Sequence, residues 1–131
     1  MFIAADQLLL HLVGDYVTQS HWMATQKTSR SLPAALHAVV YTLPFLLLTR
    51  APEALLAVAI SHFIIDRWRI IRYLVWFKDQ LAPKAFRHPW AECQKTGQSD
   101  EIPAWLGVWL MIIADNTLHL VCNGLALKYL A

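Results

Sequence analysis

The sequence predicts an all-α fold: a four-helix transmembrane bundle with an interfacial extension of the third helix and a long cytoplasmic loop. Three observations carry this. Hydrophobic residues make up 57% of the 131 and charged residues only 15%, against about 45–50% and about 25% in an average soluble domain. Apolar runs of helical length alternate with polar stretches that carry Pro and Gly. Three of those runs each hold a histidine and an aspartate four residues apart, His11/Asp15, His62/Asp66 and Asp115/His119, a step that puts both side chains on one helix face. The length suits a single membrane-embedded domain, 1–131.

The first helix is expected over residues 3–20, its apolar face interrupted by Asp6, His11 and Asp15. Asp6 either lines the outer end of the bundle or starts the helix. Residues 21–31 are polar and read as a connection. Pro33 suits the first turn of a second helix over 32–49, which lacks Lys, Arg, Asp and Glu and has His37 as its one imidazole. Pro44 is placed to kink it. Pro52 and Glu53 suit the start of a third helix over 53–78. This helix is apolar to Ile65 and then mixes Arg67, Arg69 and Arg72 with Trp, Tyr and Ile, the pattern of a helix leaving the hydrocarbon for the interface. Residues 79–102 read as a long loop, functional or partly mobile. Pro103 opens a fourth helix that runs to the C-terminus.

Charge sets the expected topology. The 21–31 and 67–102 segments hold Lys27, Arg30, Arg67, Arg69, Arg72, Lys78, Lys84, Arg87 and Lys95, whereas the opposite side has Arg50 and Lys128. With four crossings the positive-inside rule puts those loops in the cytoplasm and both termini outside the inner membrane. The first ten residues have no Lys or Arg and contain Asp6, so no cleavable signal peptide is expected. A net charge of +2, without a basic stripe interleaved with aromatics, excludes nucleic acid as an expected partner. Cys93 and Cys122 form neither a disulfide framework nor a CxxC metal site; His21 and His88 read as solvated loop residues, and the Trp and Tyr residues as an interfacial belt. A soluble four-helix metalloprotein is the competing reading, because the first and third helices are short for spans.

Ionisable groups inside apolar helices are costly and usually face the bundle interior, where they pair, bind an ion or line a pathway. The candidate metal ligands are His11, Asp15, His37, His62, Asp66, Asp115 and His119. Imidazole and carboxylate are the usual ligands of zinc, and such mixed sets also hold manganese or iron. Any one His–Asp pair could be a hydrogen-bonded core pair. Random placement of six His and six Asp would give roughly 0.5 such pairs; three, on different helices, favour a shared site for a divalent metal. Seven donors suit two ions about 3.5–4 Å apart, or one ion with the remaining groups orienting its imidazoles. His37 alone is as readily a core histidine. Gln19 and Asn123 each extend a pair by one more turn, and Asn116 is either a site amide or a packing contact; hydrogen bonding suits all three better than ligation. Cys122 is better read as a small buried residue than as a soft ligand.

The elements His11-Leu-Val-Gly-Asp15-Tyr-Val-Thr-Gln19, Trp22-Met23, Lys27, Leu36-His37, Ser61-His62-Phe-Ile-Ile-Asp66 and Asp115-Asn-x-Leu-His119 resemble the small integral-membrane proteins of the domain of unknown function 3307, found in bacteria and their phages. The resemblance covers both ends and the middle and leaves 79–102 unmatched. That family usually has Asp-Gln where this chain has Asp115-Asn116. The His-x3-Asp elements are also similar to those of inner-membrane metal-dependent hydrolases, which implies a hydrolase activity.

Three functions follow as expectations. The first is an intramembrane metal-dependent hydrolase, in which bound metal acidifies a water and Asp15, Asp66 or Asp115 serves as general base. Arg67, Arg69 and Arg72 near the site would suit a phosphate-bearing lipid or nucleotide, although they serve equally as topology determinants. The second is a metal or proton transport element. The third is a non-catalytic membrane protein stapled by metal. Four short helices also leave room for a homo-oligomer.

Overall fold

The computed structural model describes residues 5–131; the expected helix start at residue 3 lies outside them. The chain is about three-quarters helical, with no strand among the described residues. In order it forms α1 (Ala5–Leu12), continued by a π turn (Val13–Val17), then α2 (His21–Gln26), α3 (Ser31–Thr42) with a 3-10 continuation (Leu43–Leu47), α4 (Pro52–Trp68), α5 (Ile71–Asp79), a 3-10 turn (Lys84–Phe86), α6 (Trp90–Cys93) and α7 (Ala104–Tyr129). The chain divides into two compact units. The first comprises the chain up to Trp68 together with His119–Ala131, and the second Arg69–Leu118.

Local chemistry explains most of these boundaries. Ser20 caps α2, its hydroxyl accepting from the Met23 amide. Pro33 sits in the first turn of α3, and the α-to-3-10 change falls at Leu43–Pro44, where a proline removes an amide donor. Two expectations about boundaries fail. The third helix does not run unbroken to residue 78: α4 ends at Trp68 because Arg69 takes a left-handed backbone, φ 48°, which stops helical hydrogen bonding. The 79–102 segment is not an open loop but carries two short helical turns.

The expected four-span bundle is not supported by the helix lengths. Among the described residues only α7, with 26 residues, is long and apolar enough to cross a membrane. At 1.5 Å per residue, the 17 residues of α4 reach about 25 Å, short of the ~30 Å hydrocarbon thickness. The α3 segment, Ser31–Leu47, is likewise apolar but shorter than a span.

In the first unit every helix but α2 buries one narrow stripe: Gln7, Leu10, His11 and Gly14 of α1 and its π turn; Ala34, His37, Ala38 and Tyr41 of α3; Ala54, Val58, His62 and Asp66 of α4; His119, Asn123 and Ala126 of α7. The apolar part of this core is Leu10, Tyr41, Phe45, Val58 and Ala126. Gly14 lets the π turn lie against Tyr41, since a Cβ there would come within 2.5 Å of the Tyr41 ring. Outside the stripes, large apolar side chains face outward, Leu47 at 82% and Val17 at 75% exposure.

In the second unit Tyr73 and Trp90 stack at 4.6 Å, Trp76 meets Trp90 edge-on, and the Arg72 guanidinium lies over both Tyr73 and Trp90. Arg69 Nη2 donates to Lys95 O and Arg72 Nη1 to Gln94 O, at 2.9 and 2.6 Å. These bonds hold the 94–97 turn, in which Gly97 has φ 86° and leaves no room for a Cβ beside Arg72 O. His88 is not a freely solvated loop residue: it lies 3.5 Å from both Glu92 and Glu101, and its carbonyl accepts from Trp76 and Gln80. Cys93 is buried, and burial, followed by the carboxylates of Glu92, Asp79 and Asp100, pushes its thiol up.

Candidate metal centre

The buried stripes of the first unit bring six of the seven expected His and Asp residues, all but Asp115, to one place. His11, His37 and His62 are wholly buried, His119 is 1% exposed, and Asp66 is also buried. The one-turn spacing aligns them within each helix, and the small neighbours Gly14, Ala34, Ala38 and Ala54 leave room for ring and carboxylate between helices.

Asp15 Oδ1, His37 Nε2, His62 Nε2 and Asp66 Oδ2 form the tightest group. The two imidazole nitrogens are 2.9 Å apart. Asp15 Oδ1 stands 3.1 Å from His37 and 3.4 Å from His62, and Asp66 Oδ2 stands 3.3 and 3.1 Å from the same nitrogens. All four ligand atoms fall within 4.8 Å of one another. Ligands about 2.0–2.1 Å from a tetrahedral zinc lie about 3.3–3.4 Å apart. The five separations that involve the two imidazole nitrogens are therefore within about half an ångström of that spacing.

The chemistry of the donors fits the same occupant. Two neutral imidazoles facing Nε2 to Nε2 cannot both offer lone pairs to each other; a proton or a cation must stand between them. Asp66 Oδ2 is sealed from solvent, and none of the neighbouring cationic or imidazole groups is directed along a hydrogen bond to it. His62 Nδ1 is likewise buried without a hydrogen-bond partner among the described residues. These His and Asp groups are positioned to hold a metal ion.

Around this group, His119 Nε2 lies 3.4 Å from Asp66 Oδ1, and its ring is 4.2 Å from that of His62. His11 stands farther back, Nδ1 being 3.6 Å from Asp15 Oδ2 and 2.8 Å from the Tyr41 hydroxyl. The Gln19 amide is 2.8 Å from His37 Nε2. Asn123 Nδ2 donates to the Tyr41 hydroxyl at 2.6 Å, which leaves that hydroxyl to donate its own proton to His11 Nδ1. Asp115 is half-buried one turn before His119, and Asn116 Nδ2 donates to Ile112 O within α7. Both belong to the second unit.

Three residues of the cluster are absent from the sequence-derived set. Tyr41 is not an interfacial aromatic: it is fully buried, with its ring stacked 3.6 Å from that of His62. Its position one turn after His37 is the same signal that found the His–Asp pairs. Gln7, one turn before His11, is buried and donates to Leu120 O at 2.8 Å. Lys27 reaches in from the α2–α3 connection, Nζ 2.8 Å from Asp66 Oδ2; no periodicity marks it, because it lies outside the long helices. Arg67 turns back to the same connection and donates to Thr28 O and Ser31 Oγ.

Comparison with curated proteins finds no match, and neither does comparison with solved structures. One family model matches the chain over residues 3–123, nearly its whole length. The chain therefore belongs to the family described as protein of unknown function DUF3307.

Proposed function

We propose that this chain is a membrane-associated metalloprotein in which Asp15, His37, His62 and Asp66 hold a divalent cation, zinc first and manganese or iron next, used for hydrolysis. The observation that carries the reading is that two buried imidazole nitrogens lie 2.9 Å from each other and each 3.1 to 3.4 Å from the same two carboxylate oxygens, donors drawn from three helical segments. The imidazole of His119 stands 3.4 Å from the far oxygen of Asp66. Such an outer partner orients a ligand and raises its basicity. A cation here would acidify a water and polarise an ester or phosphoester. Asp15, whose side chain is 10% exposed against 4% for Asp66, is the carboxylate best placed to take a proton from an entering water. Asp115, one turn before His119, is the other base to test, and with it a second ion.

The exterior supports a lipid surrounding. In water, exposing Leu and Val while burying His and Asp gains nothing from the hydrophobic effect; in a bilayer the same arrangement is favourable. We place α7 across the inner membrane, with the Lys- and Arg-rich 21–31 and 67–102 segments on the cytoplasmic side.

The test begins with elemental analysis of purified full-length protein beside His62→Ala and Asp115→Ala variants. About one equivalent of metal, lost in His62→Ala, is expected; folded wild type without metal would end the proposal. A panel of phosphoester and lipid ester substrates then separates an enzyme from a metal staple. A second reading, proton or metal transport, draws on the continuity of the network. No step in His11–Asp15–His37–His62–Asp66–His119 exceeds 3.6 Å. Uptake into proteoliposomes tests it and is expected to be absent.

A further inference from the structure

Lys27 presents a cation to the same oxygen that the metal reading assigns to an ion. Its Nζ is 2.8 Å from Asp66 Oδ2, nearer than His62 or His37 Nε2, at 3.1 and 3.3 Å. The side chain is 18% exposed, so its stem reaches from solvent into the cluster. The backbone around it is fixed independently of the ammonium. The Lys27 amide closes α2 on Met23 O at 2.9 Å. Arg67, the residue after Asp66, donates to Thr28 O at 2.9 Å and to Ser31 Oγ at 3.3 Å. Adjacent residues of α4 thus hold this connection in two ways, one through its backbone and one through a side chain that can leave.

A divalent ion ligated by Asp66 Oδ2 would sit about 2 Å from that oxygen, within about 5 Å of an ammonium that stayed in place. Like charges so close in a shielded site repel strongly, whereas a four-carbon stem lets Nζ swing outward at little cost. We propose that Lys27 is a built-in competitor for the metal centre. It neutralises Asp66 while the site is metal-free, gives way to an entering divalent cation, and so sets the affinity of the site. The proposal rests on the metal reading above and goes beyond it, in that a residue which ligates nothing governs occupancy.

The experiment titrates zinc alone, against a competing chromophoric chelator, into metal-free full-length wild type, Lys27→Met and Lys27→Arg. Lys27→Met is expected to bind zinc about tenfold more tightly or better, and Lys27→Arg to resemble wild type. In parallel, wild type is treated with an amine-acylating reagent with and without zinc, and modification of Lys27 is followed by mass spectrometry. Zinc is expected to accelerate it at least severalfold. Equal or weaker zinc binding by a folded Lys27→Met, or labelling of Lys27 that zinc leaves unchanged, overturns the competitor role while leaving the metal centre standing. Failure of wild type and both variants to take up zinc removes the metal reading itself, and the competitor with it.

Discussion

Asp66→Asn tests the centre with the least disturbance to packing, because the amide has the volume of the carboxylate. Asp66 is buried, and Oδ2 faces Lys27, His37 and His62 while Oδ1 faces His119. Removing one partner of a fully buried ion pair costs about 3–5 kcal/mol. Lys27 retains 18% exposure and can turn to solvent, so the metal-free variant should lose less, about 1–3 kcal/mol. The metal effect is separate. A cation at a hundred times its dissociation constant stabilises the wild type by about 2.7 kcal/mol, which for a chain of this size corresponds to roughly 8–13 °C in melting temperature. The assay is thermal unfolding followed by circular dichroism, wild type beside variant, each with zinc and with a chelator. Wild type should show the full difference between the two conditions, and Asp66→Asn almost none. Equal responses of the two proteins to zinc would refute the assignment of Asp66 as a ligand.

Two further predictions concern how the cluster is held. Tyr41→Phe removes the hydroxyl that receives Asn123 and faces His11, leaving buried polar groups unpaired. It should cost about 1–3 kcal/mol in denaturant unfolding and weaken zinc binding without abolishing it. Gly14→Ala puts a methyl 2.5 Å from the Tyr41 ring and 3.1 Å from its carbonyl. That ring is held by His62 and Asn123 and has little freedom to yield, so the variant should lose about 1–3 kcal/mol. A neutral Gly14→Ala would mean that the π turn is free to move away from α3.

How much of the fold was legible followed from where the governing signal lay. The Pro52 start of α4, the Pro103 boundary before α7 and the proline change in α3 could be read because proline acts locally. The break after Trp68 could not, because it depends on Arg69 adopting a left-handed backbone. Its guanidinium meets Lys95 O and Met111 Sδ, partners far along the chain. The same holds for 79–102, whose order comes from Arg72 on Gln94 O and from Trp90 stacked on Tyr73. Apolar content suggested four crossings, yet helix length is set by where turns fall, and the π turn, Pro44 and Arg69 shorten α1, α3 and α4 respectively.

The candidate centre was legible for a different reason. Hydrophobic periodicity normally reveals the face a helix buries, and here it fails, because both faces of α3 and α4 are apolar. The polar residues take over that task. His11, Asp15, His62, Asp66 and His119 mark the buried stripes simply by being unable to sit elsewhere on an apolar helix at tolerable cost. One-turn spacing then extends each stripe, and followed one step further it reaches Gln7, Tyr41 and Asn123, all of which are buried. It cannot reach Lys27, which enters from a short connecting helix with no stripe of its own. The helices thus supply a donor set that helical periodicity can find, while the charge that balances it comes from a connection that periodicity does not describe. Where a buried carboxylate is recovered from spacing alone, its counter-ion is to be sought among the lysines and arginines of the loops that close over that end of the bundle.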